Sequence, residues 1–104
     1  MREVIERKVK VQAAALFASE VPLRISEACL AALEPGIALL PKVKRGVLGD
    51  LKIGLLVLKT SVESSLAAAR TNLSLIHEDT LAKKFHARIN ELQVRFAALV
   101  AALK

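Results

Sequence analysis

A chain of 104 residues and 11.2 kDa supports one domain with a modest core and leaves no room for two. Its composition is 54% hydrophobic with only three aromatics, and four glycines and three prolines supply too few turns for an all-β fold. The net charge of +6 favours anionic partners, yet without Tyr or Trp there is no stacking residue beyond Phe, and no helix-turn-helix or zinc-finger spacing appears, so a nucleic-acid module is disfavoured.

Ala, Leu, Lys, Glu and Arg dominate, and these are strong helix formers. The expected class is all-α, with about four helices in an antiparallel bundle forming a single unit over residues 1–104. The first segment runs from about Arg2 to Ser19, amphipathic at first and then apolar all round across Ala13 to Ala18, which requires cover on every side. Pro22 lacks an amide donor and disfavours helix at Val21, so a kink or restart is expected there with Ser19 as its cap. Leu23, Leu30, Leu33, Ile37 and Leu40 then form one stripe, and Pro41 to Gly49 reads as a loop.

The third segment is expected from Asp50 to Asn72. Leu51, Leu55, Leu58, Val62, Leu66 and Ala69 share a face, while Ile53, Val57 and Ala68 lie elsewhere, which predicts the most enclosed helix of the chain. Gly54 costs a helix interior about 1 kcal/mol against Ala, so a packing or close-approach role is expected for it. The fourth segment opens at Glu78-Asp79-Thr80, with Leu81, Phe85, Ile89, Leu92, Phe96, Leu99 and Leu103 in steps of three and four. Acids at its start and Lys104 at its end suit the helix dipole.

Generic chemistry is scarce. There is no CxxC, HxxxH, phosphate-binding Gly loop or G-x-S-x-G elbow, and His77 and His86 fall on different elements, so no metal site is expected. Cys29 is the only cysteine and sits in an apolar helix, where a buried inert thiol is expected. With no internal disulfide, no run of about 20 apolar residues and a densely charged start, a cytoplasmic protein that crosses no membrane is expected. Asp50, after Gly49 and before an apolar run, reads first as a helix cap whose carboxylate is held ionised by orphan amides. Arg70-Thr71-Asn72-Leu73 reads as a helix end with Asn72 as terminator.

Three stretches in order carry a resemblance. Glu20-Val21-Pro22-Leu23-Arg24, Gly49-Asp50-Leu51-Lys52-Ile53-Gly54 and Ala69-Arg70-Thr71-Asn72-Leu73-Ser74-Leu75-Ile76, followed by Glu78-Asp79, are similar to the cyclodeaminase and methenyltetrahydrofolate cyclohydrolase family. That family includes the cyclodeaminase half of formiminotransferase-cyclodeaminase and the stand-alone bacterial cyclohydrolases. The resemblance spans Ser19 to Leu92 and matches the C-terminal half of a domain about twice this length; the family's Gly-Gly-Gly-Ser segment has no counterpart here.

The resemblance implies a tetrahydrofolate derivative as substrate, no separate cofactor, and chemistry that closes a one-carbon bridge with loss of ammonia or opens it with water. Asp50 is then a catalytic anion or pterin anchor, Asn72 a ligand for the pterin edge and Arg70 a partner for a folate carboxylate. A chain carrying only half of the family's site is expected to be a poor catalyst alone, completed by a missing N-terminal-half chain. Apolar residues on several helix faces predict a homo-oligomer, simplest as a two-fold dimer. The competing class is a non-catalytic helical assembly protein in which Asp50 is only a cap.

Overall fold

The computed structural model describes residues 1–103, so the expected role of Lys104 lies outside the described residues. The chain forms three helices, α1 (Arg2–Leu39), α2 (Arg45–Leu73) and α3 (Asp79–Ala102), and no strand among the described residues. Cross-contacts fix their directions. Ser19 meets Asn72, Ser26 meets Ser65 and Gly36 meets Leu55, so α2 runs back along α1. Arg88 reaches Glu20 and Glu27 while Arg95 reaches Glu34, so α3 runs forward beside α1. The molecule measures 66 × 21 × 16 Å, a rod set by the length of α1.

The core is the expected set of stripes. Leu23, Leu30 and Leu33 meet Leu55, Val62, Leu66 and Ala69, and α3 adds Phe85, Ile89, Leu92 and Phe96. Each large apolar side chain so buried contributes roughly 1.5–3 kcal/mol relative to exposure. Ile76 closes the α2–α3 end, where Gln12 clasps the loop: its Nε2 donates to the Leu75 carbonyl at 3.3 Å and its Oε1 accepts from the His77 amide at 3.2 Å. Glu78 caps α3, its carboxylate accepting from the Thr80 and Leu81 amides at 3.1 and 2.9 Å.

Three helices replace the four expected. The difference lies at Pro22, which α1 passes without ending. A mid-helix proline removes one hydrogen bond, and burial of Leu23, Leu30 and Leu33 on a continuous face outweighs it. Ser19 is therefore not a cap. It is buried in the middle of α1, with Oγ donating to the Ala15 carbonyl at 2.9 Å.

The loop expected over Pro41 to Gly49 is shorter. Helix α2 already starts at Arg45, with Lys44 as its N-terminal boundary and no side-chain cap. Nor is α2 enclosed: Ile53, Gly54, Leu56, Val57, Ala67 and Ala68 are exposed. Ala13, Ala14 and Phe17 of α1 are likewise uncovered, and Arg2 to Val11 is exposed throughout. No helix among the described residues is long and apolar enough to cross a membrane.

Candidate functional site

Asp50 lies on the outer face of the α1–α2 pair. Because α2 begins at Arg45, Asp50 sits about one and a half turns inside the helix and caps nothing. The expectation of a carboxylate held by orphan amides is thus overturned: those amides belong to the turn after Lys44. Asp50 is exposed and makes no hydrogen bond or ion pair among the described residues. It borders a shallow open groove whose walls are Ala32 and Gly36 of α1 and Leu51, Gly54, Leu55, Val57 and Leu58 of α2.

The two glycines of that groove differ. A Cβ on Gly36 would stand 2.6 Å from Leu55 Cδ2, so α1 approaches α2 closely there. A Cβ on Gly54 would meet nothing within 4 Å. The close-approach role expected for Gly54 is therefore absent inside the chain; the glycine that lies close to the partner helix is Gly36, for which the sequence raised no such expectation.

Arg70 and Asn72 do not share this groove. Twenty residues of helix separate Asp50 from Arg70, about 30 Å, and at 100° per residue the two side chains leave α2 on nearly opposite sides. Arg70 is exposed toward α3 and donates to Gln93 Oε1 at 3.0 Å. Asn72 lies on roughly the same side as Asp50 but at the far end of α2. Its Nδ2 donates to the Ala18 carbonyl of α1 at 2.8 Å. One copy of the chain therefore does not bring the three residues to one ligand.

The densest polar constellation is elsewhere, on the α1–α3 seam. Arg88 grips Glu20 with two bonds, 2.6 and 3.2 Å, and reaches Glu27 at 2.9 Å. Arg24 adds a contact to Glu20 at 3.3 Å, and the Arg88 guanidinium lies 5.6 Å from the Phe85 ring centroid. The Arg88 hydrogen bonds hold the Glu20 carboxyl below its ordinary range, against a smaller opposing effect of desolvation, with Arg24 helping. Arg88 is pushed above its own, chiefly by the bonds to Glu20 and then Glu27.

The sequence carried a signal for this seam. Glu20, Glu27 and Glu34 recur every seven residues, as do Arg88 and Arg95, the flanking-charge pattern of two helices packed side by side. With both acids and base mutually satisfied, the seam positions α3 on α1 and leaves no free group for catalysis. His77 and His86 are exposed, and no group of His, Cys, Asp or Glu among the described residues is arranged to hold a metal.

Residues 2–91 match the family model described as formiminotransferase-cyclodeaminase. Comparison with curated proteins and with solved structures gives no match. The match covers most of the chain, including all three stretches with which the resemblance began. The chain belongs to the formiminotransferase-cyclodeaminase family.

Proposed function

We propose that this chain is one helical layer of a folate one-carbon protein, acting on a formimino- or methenyl-tetrahydrofolate and incomplete as a catalyst by itself. One observation carries the reading. Asp50 is an unpartnered carboxylate beside an open glycine on a face that the chain leaves bare. Cyclisation with loss of ammonia, or opening of the methenyl bridge by water, passes through an amidinium-like cation flanked by nitrogens. A fixed carboxylate stabilises that cation, more strongly once a second protein layer excludes water from the groove. Arg70 and Asn72 join the same ligand only when a second chain contributes them, because within one chain they are about 30 Å from Asp50.

That second layer is a further copy of this chain or a chain carrying the Gly-Gly-Gly-Ser half. Uncovered seams support association. Val11, Ala14, Ala18, Val21, Ile25, Ala28 and Ala32 follow alternating steps of three and four along α1. On α2, Val47, Asp50, Gly54, Val57, Ser61, Ser64, Ala68 and Thr71 do the same. Such a repeat on an exposed helix face is the pattern of helix–helix packing, and small residues permit close approach. In the reducing cytoplasm proposed as its location, the half-buried Cys29 stays a thiol.

The test compares wild type with Asp50→Asn for methenyltetrahydrofolate turnover by absorbance and tetrahydrofolate binding by calorimetry, each with and without a Gly-Gly-Gly-Ser half-domain added. The expected result is no turnover by the chain alone, and binding by the completed assembly that Asp50→Asn weakens at unchanged melting temperature. Robust turnover by the chain alone would overturn the incompleteness. Equal binding by both proteins would remove Asp50 from the site. The same bare apolar seams favour a second reading, a non-catalytic assembly protein, and an assembly that binds no folate at all selects it.

A further inference from the structure

An α-helical carbonyl normally accepts from the amide four residues on. For Ala18 that residue is Pro22, which has no amide hydrogen. Pro22 is buried, so water has poor access to this point of α1, and a half-buried carbonyl left unpaired is costly. The donor comes from another helix: Asn72 Nδ2 lies 2.8 Å from the Ala18 oxygen. The chain holds its own comparison. Pro35 likewise stands inside α1, and the carbonyl it orphans is that of Ala31; both residues are exposed, so water serves there.

We infer that Pro22 and Asn72 are one structural device, in which the carboxamide of α2 supplies the hydrogen bond that the proline removes from α1. The arrangement explains how a helix of 38 residues passes through a buried proline. It joins two of the sequence stretches, Val21-Pro22-Leu23 and Arg70-Thr71-Asn72-Leu73, as two sides of a single contact. The backbone beside it is tied in as well: the Ser19 hydroxyl lies 2.9 Å from the Ala15 carbonyl and 3.4 Å from the backbone carbonyl of Asn72. One Nδ2 hydrogen of Asn72 is thus committed to Ala18, which leaves its second Nδ2 hydrogen and its Oδ1 for any ligand contact. The device stands whether or not the chain binds folate.

A double-mutant cycle tests it. Asn72→Ala is expected to raise the equilibrium constant for urea unfolding about fivefold, the equivalent of one net hydrogen bond. In a Pro22→Ala background the new amide serves Ala18 itself, so the same change should cost less than about twofold. In a Pro35→Ala background the full loss should return. An equal loss in the wild-type and Pro22→Ala backgrounds would overturn the coupling. A second readout needs no variant: the Asn72 carboxamide should show a proton exchanging with solvent more slowly than those of exposed Asn90, the only other asparagine. Equal exchange at the two asparagines would overturn the bond.

Discussion

The hydroxyls of Ser26 and Ser65 meet 2.6 Å apart in the middle of the α1–α2 contact, both buried. Each has one proton and a carbonyl of its own helix within reach, Pro22 for Ser26 at 3.0 Å and Ser61 for Ser65 at 2.7 Å. Whichever hydroxyl donates across the gap, the other can return its proton to its own helix, so no buried oxygen is left alone. Ser26→Ala or Ser65→Ala should each cost about 1 kcal/mol in urea unfolding. The double variant should cost clearly less than the sum, since the two side chains share one interhelical bond.

At Asp50 the expected sign of a substitution is reversed by its place in α2. A cap changed to alanine loses about 1 kcal/mol, but an exposed, unpaired Asp inside a helix gains from the better propensity of Ala. Asp50→Ala should therefore leave stability unchanged or raise it by up to about 0.5 kcal/mol. Thermal melts of the two proteins at equal concentration check this directly.

Two glycine substitutions should separate. Gly54→Ala adds a methyl where nothing lies within 4 Å, and should stabilise the isolated chain by roughly 0.5–1 kcal/mol. Gly36→Ala gains the same propensity but drives a methyl to 2.6 Å from buried Leu55, where overpacking costs about 1–3 kcal/mol. It should melt below Gly54→Ala and at or below wild type.

Acid should loosen α3 from α1 through Glu20. The Arg88 hydrogen bonds hold the carboxyl of Glu20 lower in the folded chain than in the unfolded one. Such a group stabilises the fold above the ordinary glutamate range, and its contribution is lost as pH falls through the lowered folded value. Glu20→Gln should melt below wild type near neutral pH, and the two proteins should converge as acid protonates Glu20. The difference between their pH–stability curves measures it.

Association should be visible in solution. Because the bare seams of α1 and α2 carry Val21, Ile25, Val47 and Val57 at the surface, light scattering at tens of micromolar should give a mass well above 11.2 kDa. Ile25→Glu together with Val57→Glu, both on exposed positions, should return it to the mass of one chain while preserving helicity.

Helix class and core were legible in the sequence because both follow from local periodicity: the stripes Leu23-Leu30-Leu33, Leu55-Val62-Leu66 and Phe85-Ile89-Leu92-Phe96 are the buried ones. The family was legible too, and the family match over residues 2–91 bears it out. What tertiary structure decided were the points at which a distant residue changes a local rule. A proline reads as a break until Asn72 is seen supplying its missing donor from 50 positions away. The start of α2 at Arg45 turned Asp50 from a cap into an exposed side chain. Helix geometry then set Asp50 near one end of α2 and Arg70 and Asn72 near the other, a separation that a list of motifs does not contain. Local pattern determines which residues seek burial; only the packed helices determine which polar groups are already satisfied and which remain free.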